Sequence, residues 1–229
     1  MAKSKILVVD DHPMVRDGLR RLISQQADLE CCGEAGTASD TLESVTRLKP
    51  DLVILDLRLK GGDGLELIKG LKAQQPDLRI LILSQYEAPI YVERALRAGA
   101  LGYVVKAQAA EEILRAIHLV LAGEVYLSRT MAALLLRRFV GFGPKPTGEG
   151  IEPLTDRELH VLHLLGSGLS TRQIATELNL SFKTVETHRE NIKRKLGLRG
   201  AAALIHFATQ YTREQASNSP GDSNDPPPA

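Results

Sequence analysis

The sequence predicts an α/β domain, a doubly wound five-stranded parallel sheet, followed by a separate all-α four-helix unit. Five short runs of Ile, Val and Leu alternate with amphipathic segments across residues 1 to 122, the rhythm of strands joined by crossover helices. A stretch rich in glycine and proline follows. Beyond it, residues 153 to 211 carry helix start and stop signals with no strand-like run among them. A chain of 229 residues has room for both parts.

Composition narrows the class. Hydrophobic residues at 43% and charged residues at 25% exclude a mostly disordered chain and a coiled coil. No run approaches the length of a membrane span, and the apolar run that leads into Asp10, Ile6 to Val9, is only four residues long, too short for a signal peptide. The expectation is a cytoplasmic protein with no membrane partner. Cys31 and Cys32 are the only cysteines, so neither a disulfide framework nor a cysteine-based zinc site is available. Net charge is +1, but residues 1 to 122 hold sixteen basic against seventeen acidic residues, whereas residues 153 to 211 hold eight against five. The excess clusters between Lys183 and Arg199, which suits a polyanion as well as it suits a solvated helix face.

The candidate strands run from Ile6 to Val9, Leu29 to Gly33, Leu52 to Leu55, Ile80 to Leu83 and Gly102 to Val105, short enough and apolar enough to be buried on both faces. Between them, Val15, Leu19, Leu22 and Ile23 share one helix face, and Ile113, Ile117, Val120 and Leu121 share another. A further helix is expected from about Tyr86 to Ala98. Ligands of such sheets sit outside the C-terminal ends of the strands. There the sequence places Asp10 and Asp11, Asp56, Ser84 and Lys106. Each alone could merely cap a helix or close a strand. Together they offer crowded carboxylates that need a cation, with oxygen ligands suited to Mg2+, and a hydroxyl and an ammonium of the kind a phosphoryl group needs.

Residues 1 to 122 resemble the receiver domain of bacterial two-component response regulators, a flavodoxin-like fold, through "ILVVDDHPMVRDGL", "PDLVILDLRLKGGDGLEL", "ILILSQY" and "AGALGYVVKA". The resemblance implies that Asp56 is the phosphoacceptor, that Asp11, Asp56 and the backbone carbonyl of Arg58 hold Mg2+, and that Asp10 supports the metal through water. It implies that Ser84 and Lys106 bind the phosphoryl oxygens, and it matches Tyr103 to an aromatic switch residue. Arg58 and Tyr86 would stand at the pocket mouth and slow self-dephosphorylation. Ala107 follows Lys106 where many receivers have proline, which leaves open whether that peptide is cis.

Residues 123 to 152 are expected to form a linker helix, Arg129 to Val140, and then a linker whose Gly/Pro-rich stretch runs from 141 to 153. After it, Thr155 and Glu158 form a capping box ahead of Leu159, Leu162 and Leu165. A second short helix spans Ser170 to Leu178, a turn passes through Asn179 and Leu180, and Ser181 caps a longer helix that Gly197 ends. Two helices joined by so short a turn form a helix-turn-helix. The string "LTDRELHVLHLLGSGLSTRQIATELNLSFKTVETHRENIKRKLGL" resembles the LuxR-type DNA-binding domain of NarL-like response regulators. That resemblance makes the helix from Ser181 the recognition helix in double-stranded DNA, with Val185, His188, Ile192 and Leu196 toward the core. Glu186, Thr187 and Glu190 would face bases, while Thr171, Arg172, Lys183, Arg189, Lys193 and Arg194 would clamp phosphates. It also gives the apolar face of "GAAALIHFATQY" to a homodimer contact. Residues 212 to 229, which end in the apolar-poor "SNSPGDSNDPPPA", are expected to be a disordered tail.

The reading is a DNA-binding response regulator phosphorylated by a sensor histidine kinase, homodimeric when active. It is not an enzyme beyond its own labelling and slow self-dephosphorylation. The alternative is a Mg-dependent aspartyl phosphohydrolase. That enzyme needs a general acid near its nucleophile, commonly two residues on, where this chain has Arg58, and it leaves residues 153 to 211 without a purpose.

Overall fold

A computed structural model describes residues 3–59, 62–85, 88–140, 151 and 153–217. The chain divides into two compact units, Met1–Leu135 and Leu136–Ala229. The Gly/Pro-rich stretch from 141 to 150, Tyr86, and the tail beyond 217 lie outside the described residues.

In the first unit the elements follow as β1 (Ser4–Val9), α1 (Pro13–Ser24), β2 (Leu29–Ala35), α2 (Ala38–Leu48), β3 (Leu52–Leu55), β4 (Arg58–Leu59), β5 (Gly62–Asp63), α3 (Gly64–Gln74), β6 (Arg79–Ser84), α4 (Pro89–Ala98), β7 (Gly102–Val105) and α5 (Ala110–Leu121), and α6 (Arg129–Val140) begins in it and runs past its end at Leu135. β2, β1, β3, β6 and β7 form, in that order, one parallel sheet, while β4 and β5 pair antiparallel outside it. The strands are continuously apolar because both faces are covered. Ile6, Val8, Ile54, Leu81 and Val104 join Leu19 and Ile23 of α1 and Ile117 and Val120 of α5 in one cluster. The alternate residues Leu7, Val9, Val53 and Leu55 are equally buried on the opposite face. Each such side chain contributes about 1.5 to 3 kcal/mol.

Three expectations change here. β2 runs on to Ala35 through a register shift: Cys31 pairs with Ile6 and Gly33 with Leu7, so Cys32 is the extra residue of a bulge. The first unit also continues past 122. Tyr126 donates its N–H to the carbonyl of Leu101 at 3.0 Å and accepts the N–H of Tyr103 at 3.0 Å, and Met131 and Leu135 of α6 are buried. The free edge of β7 is thus covered by a segment expected to be linker. α4 starts at Pro89, whose fixed φ suits the first helical position, rather than near Tyr86.

The second unit contains α7 (Asp156–Gly166), α8 (Thr171–Glu177), α9 (Phe182–Leu196) and α10 (Ala201–Ser217). Capping boxes open α7 and α8, and the Ser181 hydroxyl accepts the N–H of Thr184 at 3.0 Å to open α9. Asn179, at φ 51°, turns the chain between α8 and α9, and Gly197, at φ 65°, ends α9. Leu159, Leu162, Leu165, Ile174, Val185, Ile192, Leu204, Ala208 and Tyr211 make the core. α10 extends six residues past the expected end at 211, through good helix formers and a Gln210–Glu214 hydrogen bond one turn apart.

Gly166 marks the tightest crossing of this unit: a Cβ there would press on the Ala208 carbonyl, 2.8 Å from its carbon, because α10 passes directly over α7. Gly166→Ala is expected to destabilise the protein by about 1 to 3 kcal/mol through overpacking. Gly18→Ala, on α1 with nothing within 4 Å, is expected to be neutral or to stabilise by up to about 1 kcal/mol. Urea unfolding followed by far-ultraviolet circular dichroism separates the two outcomes.

Candidate functional site

The strand order reverses between β1 and β3: after β2 is laid on one side of β1, the chain crosses to the other side. Crevices at the C-terminal ends of strands at such a reversal are where open α/β sheets bind ligands. Backbone bonds carry the residues there. The N–H of Asp56 reaches the carbonyl of Val9 at 2.9 Å, that of Asp10 reaches Ala35 at 3.1 Å, and that of Lys106 reaches Ser84 at 2.8 Å. Five strand ends are thereby held at one rim.

At that rim the Lys106 ammonium lies 2.5 Å from Asp10 Oδ2 and 2.6 Å from Asp56 Oδ2. Both carboxylates are almost fully buried, and Ser84 is inaccessible to solvent at the adjoining strand end. The other oxygen of Asp56 accepts the N–H of Arg58 at 3.1 Å. Burial pushes the Asp56 carboxyl up to about 6; Lys106 opposes the rise, and Asp10 adds to it. Tyr103, expected as a switch residue, is 3% exposed, closer to the sheet interior than a half-buried strand tyrosine would be. The peptide after Lys106 is trans.

Asp10, Asp11, His12 and Asp56 each bring a potential ligand atom within 4.8 Å of the others. Three carboxylates against one ammonium leave an excess of negative charge, and Asp11 Oδ1 is shielded from water with the His12 imidazole against it. That donor set fits a divalent cation, with oxygen predominating as Mg2+ prefers. His12 was not anticipated from the sequence. Its Nδ1 lies 2.6 Å from Asp11 Oδ1 and 3.1 Å from Asp10 Oδ1, and its N–H donates to Asp10 at 2.8 Å. The signal was its place directly after a paired aspartate at a strand end. Arg16, also missed, donates to the Asp10 carbonyl at 2.6 Å and pairs with Glu34 at 3.2 Å, bracing the loop from the α1 side. Gly64 lets that loop's partner close: a Cβ would stand 2.6 Å from Leu57 Cα.

The helix-turn-helix gathers its residues differently from expectation. Glu186 Oε1 accepts from the Thr171 hydroxyl at 2.9 Å and from Arg189 at 2.7 Å, and Arg189 also donates to Thr171. Thr171 is buried. Three residues assigned separately to bases and phosphates therefore bind one another, tying the start of α8 to α9. Glu190 pairs with Lys193 at 2.8 Å, and Arg194 donates to Asn191 at 3.1 Å. Arg172, Lys183 and Thr187 are exposed. Val185 and Ile192 are fully buried, while His188 and Leu196 are partly so, and burial lowers the His188 imidazole. Glu158 is buried but accepts from Lys195 at 2.6 Å and from the Thr155 N–H at 2.7 Å. On α10 the expected apolar face is spent inside the unit by Leu204, Ala208 and Tyr211, leaving Ile205 47% exposed. Among the described residues no helix is long and apolar enough to cross a membrane.

A carboxyl raised from 3.8 to about 6 on folding favours the folded state while it is protonated. That contribution is complete below about pH 4 and is lost as the pH rises through about 6. Asp56→Asn carries no charge at any pH, so in EDTA it is expected to be about 2 kcal/mol more stable than the wild type at about pH 7.5. The difference should shrink between about pH 6 and pH 4. Urea unfolding across that range checks it, and a difference independent of pH would mean that Asp56 titrates normally.

Comparison with known proteins follows the same division. Residues 6–118 match the response regulator receiver domain, and residues 152–208 match the family described as bacterial regulatory proteins, luxR family. The chain is 38% identical over 218 residues to the DNA-binding transcriptional activator DevR/DosR of Mycobacterium tuberculosis, covering 95% of this chain and 98% of that one. It is 37% identical to a nitrate/nitrite response regulator protein homolog of Haemophilus influenzae, covering 90% and 97%. Among solved structures, the RcsB response regulator of Salmonella typhimurium superposes with a TM-score of 0.65 at 26% identity, over 93% of this chain and all of that one. The relatives are transcription regulators, and none of these matches favours a phosphohydrolase. An acidic pocket at the reversal of a five-stranded parallel sheet, a helix-turn-helix beyond it, and this agreement over nearly the whole length place the chain in the family of response regulators with a receiver and a LuxR-type DNA-binding domain.

Proposed function

We propose that this response regulator is switched by phosphorylation of Asp56 from a sensor histidine kinase, and that the switch controls homodimerisation and binding to double-stranded DNA in the cytoplasm. The observation that carries the reading is the Lys106 ammonium bridging Asp10 and Asp56 inside the acidic cluster. Asp11, Asp56 and the backbone carbonyl of Arg58 would hold Mg2+, with Asp10 behind them through water. What the cation supplies is charge neutralisation and alignment of the phosphoryl oxygens.

A carboxylate oxygen of Asp56 attacks phosphorus in line; the bond from phosphorus to the kinase histidine nitrogen breaks, its electron pair stays on that nitrogen, and the imidazole takes up a proton from solvent as it leaves. Lys106 is already beside the nucleophile and passes from the carboxylate to a phosphoryl oxygen. The Ser84 hydroxyl donates to another, and the space it vacates is open to Tyr103. Arg58 stands two residues from the acyl phosphate and screens it from water. Together, the first unit, which runs past 122 to Leu135, serves as the receiver, and the helices α7 to α10 serve as the DNA-binding domain.

In the second domain, α9 enters the major groove. Arg172, Lys183, Lys193 and Arg194 face phosphates, with Thr171 and Arg189 behind them, and Thr187 and Glu190 face bases, with Glu186, also expected there, held back by Thr171 and Arg189. Solved structures of RcsB bound to the P1flhDC promoter in the presence of phosphomimetic BeF3-, and of two RcsB dimers on two parallel DNAs, support this reading by analogy. The exposed Ile205 of α10 supports a dimer contact there.

Acetyl phosphate with Mg2+ is expected to add one phosphoryl group per chain, read by intact mass. Asp56→Asn is expected to take none, and full labelling of that variant would reject the site. Lys106→Ala should keep metal binding and lose the gain in DNA affinity on labelling. For the DNA face, Lys183→Ala is expected to weaken binding to all sequences alike and to flatten the dependence of log affinity on log salt by roughly one unit. A change of preferred sequence in that titration would move Lys183 from phosphate contact to base reading.

A further inference from the structure

We infer that Phe182 is a specificity-determining residue of the DNA-binding domain, its ring meeting the C5-methyl group of a thymine in the major groove. The inference rests on the assignment of α9 as the helix that enters the groove. Of the apolar side chains on α9, Val185 and Ile192 are fully buried, yet Phe182 is 51% exposed. An aromatic ring half left in water forgoes much of one of the larger contributions any side chain can make.

Its position explains what it is for. Phe182 is the first residue of α9, and base edges are read by the N-terminal residues of a recognition helix. The polar groups around it are largely engaged. The Ser181 hydroxyl caps the helix at Thr184, and Glu186, one turn on from the ring, is drawn back to Thr171 and Arg189. The Thr187 hydroxyl donates to the Lys183 carbonyl at 3.0 Å, which leaves its methyl as the outward group. The first two turns of α9 therefore present a ring and a methyl beside the exposed Lys183, a surface poor in hydrogen-bonding atoms that could choose between base edges. The thymine methyl is the apolar group that the major groove displays, and contact with it separates thymine from cytosine and from either purine.

Double-stranded sites selected from random DNA by the full-length, acetyl phosphate-treated chain provide the test. Each thymine of a selected site is replaced singly by deoxyuridine, which removes the methyl and nothing else. One position per half-site is expected to weaken wild-type binding about fourfold, the value of one buried methyl. The same replacement should leave Phe182→Ala unaffected, and Phe182→Leu should retain part of the sensitivity. Thr187→Ser, which keeps the hydroxyl and loses the methyl, should keep all of it. The inference is overturned if every deoxyuridine site binds the wild type equally, or if the sensitive position persists in Phe182→Ala. A loss in Phe182→Ala that is uniform across sequences would assign the ring to the sugar-phosphate backbone, and a changed molecular mass would assign it to a second copy of the chain; both overturn it. Failure of the wild type to select any sequence would instead remove the DNA reading of α9 itself.

Discussion

Two carboxylates, nearly sealed from water, share one ammonium at the end of a sheet made of isoleucine, valine and leucine. Placing charge there is costly unless it is compensated, and Lys106 compensates only part of it. The remainder sets the character of the pocket: an excess of negative charge, an aspartate whose carboxyl is raised to about 6, and an oxygen of Asp11 shielded from water against the His12 ring. Such a rim is stable only because the strands beneath it are fixed by packing on both faces. The apolar sheet and the charged pocket are thus a single arrangement, in which burial of the one holds the other under electrostatic stress.

The second unit treats charge in the opposite way. Its acidic side chains are already satisfied, Glu158 by Lys195, Glu186 by Arg189 and Thr171, and Glu190 by Lys193. The cations that a polyanion would meet are therefore partly neutralised before it arrives, and exposed pairs such as Glu190 with Lys193 can exchange partners at little cost. Glu186 is different, because it links two helices through a buried threonine. Its carboxylate shapes the angle between α8 and α9 as well as the chemistry of the groove face.

Much of this was legible in the sequence, for identifiable reasons. Doubly buried strands have no alternating pattern to blur, so all five sheet strands were found with ends correct to within two residues, and the residues at the ends of four of them, Asp10, Asp56, Ser84 and Lys106, followed directly. Capping boxes are local, so the starts of α7 and α8 were legible too. Less legible was whatever depends on contacts between elements distant in sequence. Arg16 bracing Asp10, the Thr171–Glu186–Arg189 cluster and the inward-turned face of α10 all lack a local signal. His12 had a local signal, its neighbours, but a histidine beside two aspartates reads as solvated unless the loop is known to fold back on itself.

Tyr126 bears on where the first unit can be cut. A fragment ending at 122 would leave the Tyr103 N–H and the Leu101 carbonyl facing solvent along a bare strand edge, and would unroof the space that Met131 and Leu135 fill. Unpaired edges of that kind recruit other chains. The smallest autonomous piece of this protein therefore includes the first half of α6, and a shorter one invites aggregation however complete its phosphorylation chemistry.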